Sequence, residues 1–119
     1  MAFVTVSIDE DVITVSFDAG EDKIMELGSK MNEVCDEAYM NGYNWDAFIN
    51  CYLEVNAPEL LDVIESDPEA EMYCAYIEDT SDEGKEAASK LASLIESLLG
   101  DEEAVMSFLS ENASDIEWD

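Results

Sequence analysis

The chain has 119 residues and a formal net charge of −27 at pH 7, because 31 Asp and Glu side chains face only four lysines, with no arginine and no histidine. A protein with this charge repels nucleic acid and anionic lipid and attracts cationic surfaces. Without histidine no Ser-His-Asp or Cys-His nucleophile can be built, and a hydrophobic content of 48% argues against a disordered acidic tail. We therefore expect one folded domain, residues 1–119, that binds a basic partner.

The N-terminal part of the chain predicts an antiparallel β-hairpin. Apolar and polar residues alternate over residues 3–8 and again over residues 13–17, and the acidic residues 9–11 separate the two stretches. Alternation with a period of two is typical of strands that bury one face. We expect the chain to begin with two paired strands.

Three helices are predicted next. Apolar residues recur at intervals of three and four from Ile24 to Ala38, which indicates an amphipathic helix that ends near Asn41 and Gly42. Asn44 is then expected to cap a second helix with a wide apolar face. Pro58 suits the first position of a short third helix, because a missing N–H costs nothing there.

The second half of the chain predicts one more strand and two more helices. Residues 72–77 are apolar on both alternations, so we expect an inner strand that is covered on both faces or lies centrally. Ser81 opens a fourth helix that ends at Gly100, and residues 101–103 place negative charge at the start of a fifth. Apolar and acidic residues alternate again over residues 115–119. We expect this segment to form a short edge strand or a loose tail. The order ββαααβαα indicates an α+β fold, a three-stranded antiparallel sheet packed against about five helices.

Metal-binding motifs in the chain are incomplete. Asp79, Ser81 and Glu83 match the first odd positions of an EF-hand loop, but its twelfth position is Lys90, which supplies no bidentate carboxylate. Residues 83–85 have the carboxylate-x-lysine spacing of some metal-dependent nucleases, yet they open a predicted helix instead of lying on a strand. We expect no metal, no cofactor and no catalytic residue, and so a protein that is not an enzyme.

The cysteines and the apolar runs bear on the compartment. Cys35, Cys51 and Cys74 are odd in number and lie inside apolar patterns, which is typical of buried free thiols in a reducing compartment. No stretch approaches the roughly 18 apolar residues of a membrane span, and the first residues lack the pattern of a signal peptide. The sequence predicts a cytoplasmic protein.

The distribution of charge predicts where a partner binds. The lysines fall in the first and fourth predicted helices, where Glu26 with Lys30 and Glu86 with Lys90 form favourable i,i+4 pairs. The uncompensated carboxylates gather at the hairpin turn, at residues 62–71 and 78–83, and at both ends of the fifth helix. A terminal tryptophan among carboxylates has the composition of an interface anchor, although docking onto its own domain is the use we favour for it. The residues expected to contact the partner are Asp9, Glu10, Asp11, Glu78, Asp79, Asp82, Glu83, Asp115, Glu117, Trp118 and Asp119.

Three segments carry a resemblance to a known family. They are NGYNWDAFIN at residues 41–50, DPEA at residues 67–70 with Met72 and Tyr73, and IEWD at residues 116–119. Together they resemble immunity protein family fifty-one of bacterial polymorphic toxin systems. The resemblance implies a cytoplasmic antitoxin that binds the toxin domain of its own system and masks its active or substrate-binding surface. It transfers no binding residue and leaves the toxin's chemistry open, but the acidity favours a basic toxin such as a nuclease.

Two other functions fit part of the sequence. An acidic DNA mimic would inhibit a DNA-binding protein, but it needs a long stripe of carboxylates to match about one charge per 1.7 Å of duplex, and here the carboxylates are scattered over turns and helix ends. A small metal-dependent enzyme would need a tight ion site at residues 79–83 or 9–11. The oligomeric state is left open.

Self-repulsion generates a first prediction. Raising the salt concentration from low to physiological should raise the melting temperature of the free protein, because the Debye length shortens from about 30 Å at 0.01 M to about 8 Å at 0.15 M. Thermal unfolding followed by circular dichroism at both concentrations measures the effect. A melting temperature that does not change would show that repulsion does not limit stability.

Overall fold

Residues 3–118 are described by a computed structural model in which four strands and five helices form an α+β fold, as the sequence predicts. In chain order the elements are β1 (Thr5–Ile8), β2 (Ile13–Asp18), α1 (Asp22–Val34), α2 (Gly42–Asn56), α3 (Pro58–Leu61), β3 (Glu65–Ser66), β4 (Met72–Ile77), α4 (Asp82–Leu99), α5 (Glu102–Asn112) and a 3₁₀ turn (Ala113–Asp115). Among these residues, no helix combines the length and the apolar character needed to cross a bilayer.

The sheet is antiparallel, with the strand order β1-β2-β4-β3. β4 lies between β2 and β3, which confirms that residues 72–77 form an inner strand. The expected number of three strands is too low, because the short β3 pairs Glu65 with Tyr76 and Ser66 with Ala75. Both residues of β3 are polar and exposed, so the strand has no hydrophobic alternation from which it could be predicted.

The core lies on one face of the central strand pair. The apolar residues of β2 and β4 face each other across the ladder and are at most 2% exposed, in the pairs Ile13–Ile77, Val15–Ala75 and Phe17–Tyr73. The rings of Phe17 and Tyr73 stack with their centroids 5.1 Å apart. Helix α2 contacts β4 and helix α4 contacts β2. The opposite face of β4 is half-buried, so this strand is central without being fully covered on both faces.

The first strand does not bury a face, in contrast to the expectation from its alternation. Val6 lies opposite Val15 and Ile8 opposite Ile13, so both point to the helix-covered side, yet they are 41% and 56% exposed. β1 is the edge of the sheet, and the helical layer is centred on the inner strands. The chain before β1 is anchored to α4, because the Glu96 carboxylate accepts hydrogen bonds from the backbone N–H groups of residues 3 and 4, at 2.6 and 2.9 Å.

The boundary between the first two helices differs from the prediction. α1 ends at Val34 instead of near Asn41, and the Asn32 amide donates to two carbonyl groups just beyond the helix, at 3.4 and 3.3 Å. Asn41, not Asn44, is the N-cap of α2, because its side-chain oxygen accepts the Asn44 N–H at 2.8 Å. Asn44 is instead buried, and its amide donates to a backbone carbonyl at 2.7 Å.

The last two helices and the third agree with the sequence. Pro58 begins α3, Ser81 immediately precedes α4, and the Asp101 carboxylate accepts the Ala104 N–H at the start of α5. The expected Glu26–Lys30 pair forms at 3.9 Å. The expected Glu86–Lys90 pair is wrong: among the described residues Lys90 pairs with Glu59 of α3, because this carboxylate reaches the ammonium group at 2.5 Å.

The unequal burial of the paired residues Ile8 and Ile13 generates a second prediction. Ile13→Ala should lower the free energy of unfolding by about 2–5 kcal/mol, because the side chain is fully buried. The directly opposite substitution, Ile8→Ala, should cost less than about 1 kcal/mol, the scale of strand propensity alone. Urea denaturation of both variants measures the difference, and equal losses would contradict the exposed position of β1.

Candidate functional site

Seven of the eleven candidate residues gather at one end of the sheet. Because Ile13 pairs with Ile77, the β1–β2 turn lies beside the loop between β4 and α4, and the Thr80 hydroxyl donates to the Glu10 carbonyl at 3.4 Å. All seven side chains are exposed, and we call them the hairpin cluster: Asp9, Glu10, Asp11, Glu78, Asp79, Asp82 and Glu83.

The hairpin cluster is a charged surface with little internal structure. The Asp79 carboxylate accepts the Ser81 N–H at 2.9 Å, and hydrogen bonding from Ser81 lowers the pKa of Asp79. This bond lies just before α4 and favours the ionised form of the carboxylate. Within residues 3–118, no group of three or more potential metal-ligating side chains could hold an ion. The chemistry available here is long-range attraction of cations.

Three further candidates, Asp115, Glu117 and Trp118, line a groove of about 860 Å³. Its other wall is one face of α2, where residues three and four apart in sequence point the same way. We call it the acidic groove, after its four carboxylates, and no lysine is among the described residues that line it. The carboxylates and the two large aromatic side chains are Asp46, Glu54, Asp115, Glu117, Tyr43 and Trp118. The eleventh candidate, Asp119, lies outside the described residues.

The C-terminal wall of the groove is fixed by two docked side chains. Ile116 is 5% exposed in the core, and the half-buried Trp118 packs against that core. The Trp118 indole N–H donates to the Ala113 carbonyl at 3.3 Å. Residues 116–118 are therefore neither the edge strand nor the loose tail that alternation suggested. Trp118 docks onto its own domain and still presents part of its ring to the groove.

Asp46 is the most unusual group in the groove. Its Oδ2 accepts a hydrogen bond from the Asn50 amide at 3.2 Å, whereas its Oδ1 is buried and has no partner within residues 3–118. Burial raises the pKa of the Asp46 carboxyl, and hydrogen bonds from Ser66 and Asn50 only partly oppose the shift. A buried carboxylate oxygen without a donor is costly, because nothing replaces the water it gave up.

A second orphaned group belongs to the same region. The Tyr73 side chain is fully buried, and its hydroxyl also lacks a partner among the described residues. Burial raises the pKa of Tyr73, and the Asp46 charge adds to the effect. The phenol is therefore neutral and lies near enough to Asp46 to sense its charge. Sequence reasoning missed Asp46, although a carboxylate between Trp45 and Ala47 in a largely apolar helix is the signal that could have found it.

Among the described residues that line the groove, Cys51 is the one thiol, and its environment disfavours the thiolate. Cys51 is buried, and burial raises the pKa of its thiol, with the charges of Glu54 and Asp115 adding to the shift. A thiol in this environment stays protonated, and the nucleophile and metal ligand is the thiolate. The described part of the groove offers acceptors for hydrogen bonds and negative charge, without an activated nucleophile.

Two of the three segments that carry the family resemblance form walls of this groove, and the third reaches it at Pro68. A family model described as immunity protein 51 matches residues 3–114 of the chain. The chain belongs to the immunity protein 51 family. No curated protein and no solved structure matches it. The match includes the hairpin and the α2 wall, and it ends one residue before Asp115, so the C-terminal wall lies beyond the matched region.

Asp46 generates a third prediction, on stability. A carboxyl whose pKa is raised on folding contributes stability that is complete below the unfolded-state pKa and is lost as the pH rises through the folded-state value. At pH 7 the ionised carboxylate therefore destabilises the fold. Asp46→Asn keeps the shape and an acceptor for Asn50, so it should raise the melting temperature at pH 7.5, by an amount that shrinks toward pH 4.5.

The control for this prediction is Asp115→Asn, which removes the same charge from an exposed side chain. Its gain in melting temperature should be smaller, because only general repulsion is relieved. Differential scanning calorimetry across the pH range compares the two variants. A loss of stability in Asp46→Asn at pH 7.5, or equal gains in both variants, would contradict the effect of burial.

Proposed function

We propose that this immunity protein is an antitoxin that binds the toxin domain of its own system stoichiometrically and masks the toxin's active or substrate-binding surface. Family membership supports the general role. The observation that carries the finer proposal is the acidic groove, in which four carboxylates and two aromatic side chains converge. Aromatic anchors surrounded by a charged rim are the usual composition of a strong protein interface.

The proposed target is a basic surface, such as that of a nuclease. An enzyme that acts on nucleic acid presents lysines and arginines to phosphate groups. The carboxylates of the groove would pair with these cations and so occupy the surface that the substrate needs. The net charge of −27 would also draw the two proteins together, since electrostatic steering raises association rates to about 10⁸–10⁹ M⁻¹s⁻¹.

The two acidic regions would have different roles in this complex. The hairpin cluster is exposed, and Glu83 alone among its seven members lines a described pocket, so the cluster would contribute mainly to attraction at a distance. The groove would hold the toxin after encounter. Charges at the rim of an interface act on the association rate, and desolvated pairs act on the dissociation rate.

Binding without catalysis is the chemistry that the groove favours. The described residues offer no cluster of metal ligands, and the Cys51 thiol has a raised pKa. The proposed place of action is the cytoplasm of the producing cell, a reducing compartment in which the free cysteines would persist. A DNA mimic would instead need carboxylates in one long stripe, whereas the hairpin cluster and the acidic groove are two separate regions and the other carboxylates are spread along the chain.

The fourth prediction tests the proposal with the toxin domain encoded beside the gene. Co-expression should restore growth, and the purified proteins should form a one-to-one complex whose association rate falls at least tenfold between about 50 and 200 mM salt. Stopped-flow fluorescence measures the rate, and a panel of unrelated DNA-binding proteins should not be inhibited. Undiminished toxicity, or a rate that ignores salt, would contradict the proposal.

Two variants of equal charge separate the two acidic regions. Asp115→Asn with Glu117→Gln should raise the dissociation rate of the toxin complex about tenfold, because it weakens the wall of the groove. Asp9→Asn with Glu10→Gln should lower the association rate by less than about threefold and leave dissociation unchanged. Equal effects of the two variants on dissociation would show that the groove has no special role.

A further inference from the structure

The outer edge of β1 has backbone groups that are open to a partner. Among the described strands, β1 pairs with β2 alone and ends the sheet on that side. The Asp9 N–H donates to the Val12 carbonyl at 2.9 Å, which makes these two residues a hydrogen-bonded pair. Hydrogen-bonded and non-bonded pairs alternate along an antiparallel ladder. The N–H and C=O groups of Val6 and Ile8 therefore point away from β2 and out of the sheet.

The hydrogen bonds on the other side of β2 agree with this alternation. The Ala19 N–H donates to the Glu71 carbonyl at 2.8 Å, in continuation of the β2–β4 register. The odd-numbered residues of β2 therefore bond to β4, and its even-numbered residues bond to β1. Within residues 3–118, no backbone hydrogen bond from a turn or loop occupies the outward groups of β1. The edge is regular and unpaired.

The side chains of β1 add an apolar strip to this edge. Val6 and Ile8 lie on the helix-covered side of the sheet and are 41% and 56% exposed. Thr5 and Ser7 point to the opposite side and are uncharged. An added strand would cover Val6 and Ile8 with apolar residues at alternate positions of its own. In such pairing the main chain supplies affinity and the alternate side chains supply specificity.

Negative charge lies at both ends of the open edge. The acidic turn of residues 9–11 follows β1. Before β1, the Glu96 carboxylate accepts the N–H groups of residues 3 and 4, and among the described residues it forms no ion pair. If two copies paired antiparallel about Ser7, the turn of each copy would meet Glu96 of the other. Like charges would then repel at both ends, whereas a strand with a cation at each end would be attracted.

We infer that the outer edge of β1 pairs with an antiparallel strand of the toxin, which has apolar residues opposite Val6 and Ile8 and a cationic residue beyond each end of the pairing. This inference rests on the proposed function for the identity of the partner. Asn50 of the acidic groove donates to Ser66 of β3, at the other edge of the sheet, at 3.4 Å. The paired strand is therefore a second point of attachment, separate from the groove.

The experiment titrates the whole ¹⁵N-labelled protein, at constant ionic strength, with the peptide acetyl-KTVTVTK-amide. Antiparallel pairing sets the two valines of the peptide opposite Val6 and Ile8, with one lysine toward the acidic turn and the other toward Glu96. We expect saturable shifts of the backbone amide signals of Val6 and Ile8. At saturation both amides should exchange with solvent at least about tenfold more slowly, because both N–H groups gain an acceptor. Unchanged exchange at these two amides would overturn the inference.

N-methylated peptides test the direction of the backbone groups. Methylation of both valine nitrogens removes the donors that face β1 and should weaken binding at least about tenfold. Methylation of two threonine nitrogens, which face away from β1, should leave the affinity within about threefold. Equal affinities of the two methylated peptides would overturn the antiparallel pairing. A peptide with glutamates in place of both lysines should bind at least about tenfold more weakly, and equal affinity would overturn the charge pattern.

Variants of the protein test the same contacts from the other side. Val6→Pro removes an outward N–H that takes no part in the β1–β2 ladder, so it should weaken binding of the peptide at least about tenfold. Glu96→Gln keeps an acceptor for the N–H groups before β1 but removes the charge, and it should weaken binding about threefold. The control Glu86→Gln, an exposed position of the same helix, should have no effect. Full binding by a folded Val6→Pro variant, or equal effects of the two glutamine variants, would overturn the inference.

The toxin complex and the free protein supply the last comparisons. Val6→Pro should raise the dissociation rate of the toxin complex at least about tenfold. An unchanged rate would overturn the strand pairing and leave the antitoxin proposal standing. Failure of the wild type to neutralise the toxin would instead remove the antitoxin proposal, and the peptide titrations would then decide the chemistry of the edge alone. A dimer of the free protein at neutral pH, with Val6 and Ile8 amides already protected, would assign the edge to a second copy and overturn the inference.

Discussion

The antiparallel pairing of β2 with β4 is the interaction on which the rest of the structure depends. It brings three pairs of buried side chains together, from Ile13–Ile77 to Phe17–Tyr73, and gives α2 and α4 the apolar surface on which they pack. The same pairing positions both acidic regions. At one end it sets the β1–β2 turn beside the loop after β4, and it places Tyr73 where α2 crosses the sheet. Asp46, on α2, therefore loses part of its hydration, and its charge acts on the buried Tyr73 phenol.

The chain carries its charge by keeping carboxylates off this core. Apart from aromatic side chains, Asn44 is the only buried polar or charged residue among the described residues, and Asp46 is only half-buried. Two of the four lysines connect separate helices, since Lys30 joins α1 to Glu102 of α5 and Lys90 joins α4 to Glu59 of α3. Such exposed pairs add little to stability. None of the described residues that line the groove is a lysine. The negative charge of the groove is therefore left to interact with a partner.

Local patterns predicted the elements that bury a regular face, namely β2, β4, α4 and α5, and three segments predicted the family. Local patterns failed where a contact between residues distant in sequence determines the structure. Asn41 and Asn44 are equally good caps by type, but a Cβ on Gly42 would lie 1.7 Å from the Glu69 carbonyl, so close packing against the turn before β4 fixes the start of α2. Asp115, Glu117 and Trp118 were predicted as contact residues from charge and composition. Asp46 was not, because its burial and its interaction with Ser66, 20 positions along the chain, arise from tertiary packing, which sequence periodicity does not indicate.

The exposed edge of β1 suggests a second effect of the negative charge, which is to prevent copies of the protein from pairing through this strand. This strand exposes Val6 and Ile8, and it contains neither the proline nor the lysine with which natural proteins protect such edges. Its outer backbone groups could align with those of another copy and extend the sheet from molecule to molecule. The acidic turn that follows β1 repels approaching copies of the protein. This charge repulsion protects the edge in place of a proline or a lysine. In mildly acidic solution near the isoelectric point of about 4.1, this protection disappears, and the protein should then precipitate through edge-to-edge strand pairing.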